Sequence, residues 1–147
     1  MRGPDELSAV RVSVSHTRSW TVYAVAWRRP VGVDIEGDDT DVDVADLSDL
    51  VLTRAEARAL RRLPAAERRP ALLDLWTRKE AYLKGRGTGL LDAPAAVEAL
   101  TLPPSVHRTR APAWHLHRLS VDERHHGTLA VHGPVCTPRL WTLSLQR

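Results

Sequence analysis

Residues 67–84 read E-R-R-P-A-L-L-D-L-W-T-R-K-E-A-Y-L-K, and this stretch decides the fold. Its apolar residues recur at the three- and four-residue spacing of an amphipathic helix. The residues predicted on the buried side are Leu72, Leu73, Trp76 and Leu83. Glycines at positions 85, 87 and 89 are typical of a helix end. We therefore predict one long helix from Glu67 to about Lys84, against which the rest of the chain packs.

Strands are predicted on both sides of this helix along the sequence. Val10–Ser15 and Val31–Glu36 alternate apolar and polar residues, which is the period of a half-buried strand, and Trp20–Trp27 between them is more apolar. These three strands are expected to form a meander. The later predicted strands are Trp114–Leu119, Thr128–His132 and Leu140–Leu145, which are separated by turns containing proline and glycine.

Two shorter helices are predicted before the long one. Apolar residues between positions 47 and 51 mark the buried face of the first. Thr53 and Glu56 have the spacing of a capping box, so the second helix is expected to run to about Leu63. Together these elements predict an α+β fold, with an antiparallel sheet packed against a long helix, as a single domain over residues 1–147.

The composition is that of an ordinary globular protein, with 43% hydrophobic and 27% charged residues. A net charge of +3 favours acidic partners, but no run of five basic residues is present, so nucleic acid is not expected. No segment approaches the roughly 20 apolar residues of a membrane span, and no export signal follows Met1. The single cysteine, Cys136, is expected to be a small packing residue, and a cytoplasmic location is predicted.

The strand Val31–Glu36 carries the first candidate site. Its three apolar residues share one face, so Asp34 and Glu36 share the other, about 7 Å apart along the strand. Gly32 on that second face leaves room for a close approach. Carboxylate ligands of this kind suit Mg²⁺, which completes its shell with waters and substrate phosphates. The alternative is an exposed edge strand with two solvated acids.

The long helix carries the second candidate site. Lys79 and Lys84 are the only lysines in a chain that otherwise uses arginine for this charge. Trp76, Glu80 and Lys84 recur at every fourth position and lie along one stripe of the helix. Glu80 is therefore a candidate third metal ligand, and compact, mobile ammonium groups suit phosphates. The alternative is an ordinary glutamate–lysine helix pair worth about 0.2–0.5 kcal/mol.

The motifs G-V-D-I-E (residues 32–36) and W-T-R-K-E-A-Y-L-K (residues 76–84) together resemble the paired signature of 4′-phosphopantetheinyl transferases. Val14-Ser15-His16 is similar to the serine-histidine motif of the long, Sfp-type class. Gly87-Thr88-Gly89 is similar to the helix end in that class and in the short acyl-carrier-protein synthases. The resemblance covers residues 12–91 and matches only the later half of the long class. It therefore implies a site completed by self-association, as a homo-oligomer, or by a partner half.

The resemblance implies a Mg²⁺-dependent enzyme of the holo-[acyl-carrier-protein] synthase type. Such an enzyme transfers the phosphopantetheine arm of coenzyme A to a serine of an acyl or peptidyl carrier protein and releases 3′,5′-ADP. The implied metal ligands are Asp34, Glu36 and Glu80, the implied coenzyme A contacts are Ser15, His16, Lys79 and Lys84, and the implied catalytic residues are Glu56, Glu80 and Lys84. For Glu56, a role as general base competes with its capping role.

Two other functions stay open at this stage. A non-catalytic module of the same fold could bind an acidic carrier protein through its arginines, without Mg²⁺. Acidic residues and positive charge alone would also suit a Mg²⁺-dependent nuclease, which the two-part signature disfavours.

Several remaining residues have no predicted function. His115 and His117 share one strand face and could bind a metal, but a solvated face is expected because no third ligand is near in sequence. His125 and His126 are expected on plain surface. Trp114 and Trp141 are expected in the core.

Overall fold

The computed structural model describes residues 9–88 and 114–144. In chain order the strands are β1 (Val10–His16), β2 (Thr21–Trp27), β3 (Val31–Gly37), β4 (Trp114–Leu119) and β5 (His125–His132), and the helices between β3 and β4 are α1 (Val44–Val51), α2 (Arg54–Arg62) and α3 (Ala65–Arg86). The long helix α3 packs on β3 and β5, which form an antiparallel pair. The predicted α+β fold, an antiparallel sheet against a long helix, is confirmed.

The described strands form two antiparallel sheets. β1 pairs with β2, while the other sheet has the order β3-β5-β4. The predicted meander is therefore wrong, because β3 pairs with β5 and not with β2. The other edge of β3 faces β1, whose Ser13 and Ser15 hydroxyls accept hydrogen bonds from the backbone N–H groups of Val33 and Ile35 at 3.0 and 3.3 Å. Serine side chains thus take the place of a backbone ladder between the two sheets.

Strand β3 is buried on both faces, because α3 lies directly on its polar face. A Cβ atom on Gly32 would lie 1.9 Å from the backbone oxygen of Ala81 and 2.4 Å from the backbone nitrogen of Gly85. The close approach expected at Gly32 is therefore made by the helix backbone. As a result Asp34 is only 4% exposed, which excludes an edge strand with two fully solvated acids.

The helix ends follow the predicted capping pattern. The Thr53 hydroxyl accepts a hydrogen bond from the backbone N–H of Glu56 at 3.2 Å, and the Glu56 carboxylate accepts one from the backbone N–H of Thr53 at 2.8 Å. Helix α3 is slightly longer than predicted and ends at Gly87, which has a φ of 77°. Glycine is favoured there because other residues pay a steric cost in the left-handed region.

Two apolar clusters support these elements. One lies where α1 and α2 pack against α3, and its buried members are Leu47, Val51, Leu52, Leu60, Leu72, Leu73 and Leu75. The other lies between the two sheets, and its buried members are Ala24, Val31, Val33, Leu119, Leu129 and Val131. The acidic face of β3 is turned away from this second cluster, since Val31 and Val33 alternate with Gly32 and Asp34.

The C-terminal region confirms two predicted strands and contradicts the third. β4 agrees with its prediction, and β5 begins three residues earlier than predicted. Residues 140–144 lie in no strand, and Leu145 lies outside the described residues. Trp141, predicted in the core, is 81% exposed. A strand needs a neighbouring edge for its backbone hydrogen bonds, and none of the described strands pairs with this segment. No helix in the described residues is both long and apolar enough to cross a membrane.

Candidate active site

Three predicted metal ligands lie near one another where α3 covers β3. Asp34 and Glu36 come from β3 and Glu80 comes from α3, and we call these three residues the acidic cluster. Asp34 and Glu80 are buried, and Glu36 is half-buried. Each is close enough to another member for their charges to repel. Packing of the helix on the strand therefore gathers carboxylates that are far apart in the sequence.

Burial raises the pKa of all three carboxyls, and repulsion from neighbouring carboxylates adds to this for Glu36 and Glu80. For Asp34, burial raises the pKa and outweighs the opposing charge of Lys84. Burial is also the largest cause of the raised pKa of Glu36, to which Asp34 and Glu80 add repulsion. The pKa of Glu80 is raised by burial and then by Asp34. Ionised carboxylates in such a group are stabilised by a cation.

Two other predicted site residues hold Asp34. The Lys84 ammonium donates to Asp34 Oδ1 at 2.7 Å and to the backbone oxygen of Val33 at 3.3 Å. The Ser15 hydroxyl donates to the same Oδ1 at 2.9 Å. The Lys84 side chain is 30% exposed, so it stays partly accessible to solvent while its ammonium contacts a buried carboxylate.

An open cleft of about 360 Å³ borders the acidic cluster. Its lining residues are His16, Thr17, Arg18, Glu36, Asp39, Thr40 and Asp41. The cleft therefore joins a predicted coenzyme A contact, His16, to a predicted metal ligand, Glu36. Arg18 and Thr40 were not predicted from the sequence, and the Thr40 hydroxyl donates to Glu36 at 2.9 Å. The sequence pattern did not indicate Arg18, because Arg18 and Glu36 line the same cleft only when β1 lies beside β3.

Two neighbouring elements hold the loop after β3, which carries Asp39, Thr40 and Asp41 of the cleft lining. From α3, the Arg69 guanidinium donates to the backbone oxygens of Asp38 and Thr40. From β5, the His126 imidazole lies between two carboxylates, with Nδ1 at 2.8 Å from Asp74 and Nε2 at 3.2 Å from Asp38. His126 is 6% exposed, so its predicted place on plain surface is wrong. Its burial follows from the pairing of β5 with β3, which the sequence pattern did not show.

Glu56 and Lys79 form a separate, buried ion pair. The Lys79 ammonium is 0% exposed and donates to Glu56 Oε2 and to the backbone oxygen of Val51, both at 2.6 Å. Burial lowers the pKa of Lys79, and the hydrogen bond with Glu56 opposes this effect. Neither residue lines the cleft. This placement does not support a phosphate contact by Lys79 or proton abstraction by Glu56.

The oxygen donors of the acidic cluster fit a hard divalent cation. Asp34 Oδ2 and Glu80 Oε1 are buried and have no hydrogen-bond partner among the described residues, which is costly for a carboxylate unless a cation or water binds there. Within residues 9–88 and 114–144, no group of three or more His, Cys, Asp or Glu side chains is arranged to hold a metal ion. Asp34, Glu36 and Glu80 are thus not arranged as three ligands of one ion, and a Mg²⁺ held by one or two of them would take its remaining ligands from waters and substrate phosphates.

The two histidines of β4 do not form a solvated face. His115 is 6% exposed, because its side of β4 also carries Leu119, which packs in the cluster between the sheets. Cys136 packs against the same cluster, in agreement with its prediction. With no three-residue metal group in the described part of the chain, this region gives no support to a second metal site.

Sequence comparison identifies the family. A family model described as ACPS, 4′-phosphopantetheinyl transferase superfamily, matches residues 30–133. The 4′-phosphopantetheinyl transferase HetI of Nostoc sp. (strain PCC 7120 / SAG 25.82 / UTEX 2576) is 31% identical over 134 residues, covering 91% of this chain and 56% of HetI. The chain thus spans little more than half the length of that relative.

Two crystal structures have a similar fold. Holo-[acyl-carrier-protein] synthase of Thermotoga maritima is 23% identical, with a TM-score of 0.54 over 71% of this chain and 62% of that chain. Holo-(acyl-carrier-protein) synthase of Bacillus anthracis str. Ames, in complex with CoA (3′,5′-ADP), is 19% identical, with a TM-score of 0.56 over 70% and 94%. The chain belongs to the 4′-phosphopantetheinyl transferase superfamily.

Proposed function

We propose that this protein transfers the 4′-phosphopantetheine arm of coenzyme A to a serine of an acyl or peptidyl carrier protein. The proposal depends mainly on one observation, which is that His16 and Glu36 line the same cleft. Beside Glu36 lie the buried Asp34 and Glu80 and the partly exposed Lys84. This arrangement offers carboxylate oxygens for a cation and basic groups for phosphates at the same place. The named activities of HetI and of the two synthases agree with this reaction.

In this reaction the serine oxygen bonds to the phosphorus that carries pantetheine. The bond from that phosphorus to the bridging oxygen of the pyrophosphate breaks, and the bridging oxygen leaves on 3′,5′-ADP. The serine proton goes to a base. The carboxylates of the acidic cluster are assigned to the cation, so this base is a water of the open cleft that Glu36 lines. Glu56, in its buried pair with Lys79, we assign to positioning.

The remaining site residues bind and orient coenzyme A. We assign Lys84 to the pyrophosphate, because its ammonium already lies 2.7 Å from the predicted metal ligand Asp34. His16 and Arg18 line the cleft and are assigned to phosphate oxygens. Ser15 holds Asp34 and shapes the site from β1. Mg²⁺, held by the acidic cluster, would supply charge stabilisation as the phosphate oxygens gain charge.

We further assign the chain to the Sfp-type class, as its later half. Val14-Ser15-His16 supports the class, and the coverage of 56% of HetI is consistent with a half. The cleft of such a half would be completed by a second subunit, either another copy of this chain or a partner half.

Intact-mass spectrometry of apo carrier proteins tests the reaction. Carrier proteins are incubated with the protein, coenzyme A and Mg²⁺, and a second transferase of known activity serves as the positive control. We expect a gain of one phosphopantetheine arm, which EDTA or Glu80→Gln abolishes, whereas Glu123→Gln on the exposed β4–β5 turn leaves it unchanged. Carrier proteins that stay unmodified here but react in the control would contradict the proposal. Carrier binding that survives Glu80→Gln without any mass gain would instead indicate the non-catalytic module.

A further inference from the structure

The loop after β3, residues 38–42, is organised around the side chain of Arg69, and we call it the cleft loop. From α3, Arg69 Nε donates to the backbone oxygen of Asp38 at 3.3 Å and Nη1 donates to that of Val42 at 3.1 Å. Nη2 donates to the backbone oxygen of Thr40. Three carbonyls at alternate positions of the loop therefore meet one guanidinium. Arginine suits this arrangement because its donors are fixed in one plane, whereas those of a lysine ammonium are not.

Further hydrogen bonds give the cleft loop a defined shape, although it lies in no helix or strand. The backbone N–H of Asp38 donates to the backbone oxygen of Arg124 at 2.9 Å, and that of Thr40 donates to Gly37 at 3.0 Å. The Asp38 carboxylate lies 3.2 Å from His126 Nε2. The loop is thus tied both to α3 and to the end of β5.

Thr40 connects the cleft loop to the acidic cluster. Its hydroxyl donates to Glu36 Oε2 at 2.9 Å, and both residues line the cleft. A hydroxyl has one hydrogen to donate, so this bond commits it to Glu36. The bond also favours the ionised carboxylate, because it opposes the burial that raises the pKa of Glu36. Arg69 therefore fixes the backbone of the residue whose side chain holds Glu36.

We propose that Arg69 and Thr40 are positioning residues for the cation site. Arg69 fixes the cleft loop, and Thr40 on that loop orients the Glu36 carboxylate for a divalent cation that binds in the cleft. This inference rests on the proposed function, which assigns the acidic cluster to Mg²⁺. Of the three members of the cluster, Glu36 lines the cleft, so a cation that arrives with substrate phosphates meets this carboxylate.

A positioning role predicts a particular kind of defect. Groups that hydrogen-bond a metal-ligating carboxylate tune its affinity for the metal, and their loss typically weakens metal binding about 10–100-fold. The carboxylate itself remains, so a higher concentration of the cation compensates for the loss. A merely structural role of the cleft loop would instead weaken coenzyme A binding by the same factor with and without Mg²⁺.

Isothermal titration of the full chain with coenzyme A, at a series of Mg²⁺ concentrations, tests the proposal. The measured quantity is the Mg²⁺ concentration at which the gain in coenzyme A affinity is half complete. Thr40→Val keeps the shape of the side chain without its hydroxyl and should raise this concentration about tenfold. Thr40→Ser keeps the hydroxyl and should stay near the wild-type value. Excess Mg²⁺ should restore the coenzyme A affinity of Thr40→Val but not that of Glu80→Gln.

Arg69→Gln tests the other half of the proposal and should raise the Mg²⁺ requirement as Thr40→Val does. Arg68→Gln is the matched control, because Arg68 donates to two backbone oxygens at the C-terminal end of α2, at 3.0 and 3.1 Å, and does not line the cleft. The double variant Arg69→Gln, Thr40→Val should need no more Mg²⁺ than Thr40→Val alone, since both changes act through the same contact with Glu36. Circular dichroism checks the folding of each variant, and Thr40→Val and Thr40→Ser carry the test if Arg69→Gln does not fold.

The outcomes separate this proposal from the proposed function. An unchanged Mg²⁺ requirement in Thr40→Val, or an equal loss of coenzyme A affinity with and without Mg²⁺, would overturn the positioning role. So would an Arg68→Gln variant that needs as much Mg²⁺ as Arg69→Gln. In these cases a wild type that responds to Mg²⁺ and modifies carrier proteins leaves the proposed function standing. A wild type that binds coenzyme A equally with and without Mg²⁺ would refute the cation site, and this proposal with it.

Discussion

At the scale of single residues, Lys79 and Lys84 have different surroundings although they lie five positions apart on α3. Five residues correspond to about 500° of rotation, so the two side chains leave the helix on different sides. Lys84 reaches Asp34 on β3, whereas Lys79 reaches Glu56 and Val51 in the core. The sequence showed that both lysines were unusual. It could not show that only one of them contacts the acidic cluster, because that depends on where α2 packs.

We predict that Lys79→Met destabilises the protein by about 3–5 kcal/mol, the typical cost of leaving one member of a buried ion pair uncompensated. The double variant Lys79→Met, Glu56→Leu should lose less than the sum of the two single variants, since it removes both charges. Urea unfolding of the four proteins measures this coupling. If Lys79→Met has normal stability but binds coenzyme A more weakly, Lys79 contacts a phosphate of coenzyme A, and its assignment to the core is wrong.

His126 makes stability depend on pH. Asp74 and Asp38 face its two ring nitrogens, and a neutral imidazole can donate to only one of them. The hydrogen bond to Asp74 is the main cause of its raised pKa. Since the folded-state pKa is raised, the contribution of His126 to stability is fully present below the unfolded pKa of about 6.5 and is lost as pH rises through the folded pKa.

The free energy of unfolding should therefore fall as pH is raised from about 6.5 through neutral pH, and His126→Gln should flatten this fall. Urea unfolding between pH 6 and 8.5 measures both slopes. His125→Gln is the control, because His125 contacts Asp122 rather than the loop beside the cleft. Equal slopes in the wild type and in His126→Gln would show that the imidazole does not bridge the two carboxylates.

At the scale of elements, local patterns predicted most helices and strands but not their partners. The capping box at Thr53 and the glycine that ends α3 act within a few residues, and both were correctly predicted. The alternation in β3 showed which residues share a face. It could not show that α3 covers the acidic face, because an acidic face is typical of solvent exposure. Gly32 was the one signal of this packing, since its small size allows a close approach, but the pattern did not show that the backbone of α3 makes it.

Gly32→Ala tests the contact between β3 and α3. The added Cβ would lie 1.9 Å from the backbone oxygen of Ala81, which cannot move without shifting the helix. We expect destabilisation at the upper end of, or beyond, the roughly 1–3 kcal/mol usual for overpacking. Gly87→Ala is the control: it meets no neighbouring atom and should cost only the roughly 1–2 kcal/mol of a left-handed φ. Thermal unfolding in which Gly32→Ala is the milder change would contradict this packing.

At the scale of the whole molecule, the sequence predicted the family and the residues of the acidic cluster better than it predicted the molecular surface. The two motifs contain the carboxylates and lysines that bind cations and phosphates, and these residue types can be read from the sequence without knowing which elements pack against them. The exposure of the apolar side chains on the β1–β2 hairpin and of Trp141 could not be predicted, because a pattern of apolar residues indicates burial without specifying which residues provide it. In this chain the described residues leave Tyr23, Trp27 and Trp141 uncovered.

The central claim is that the acidic cluster and Lys84 bind a divalent cation together with the pyrophosphate of coenzyme A. Isothermal titration of the protein with coenzyme A, with Mg²⁺ and with EDTA, tests it most directly. We predict that Mg²⁺ lowers the dissociation constant at least tenfold in the wild type and in Glu123→Gln, but not in Glu80→Gln. Equal affinity with and without Mg²⁺ in the wild type, or an undiminished Mg²⁺ effect in Glu80→Gln, would contradict the claim.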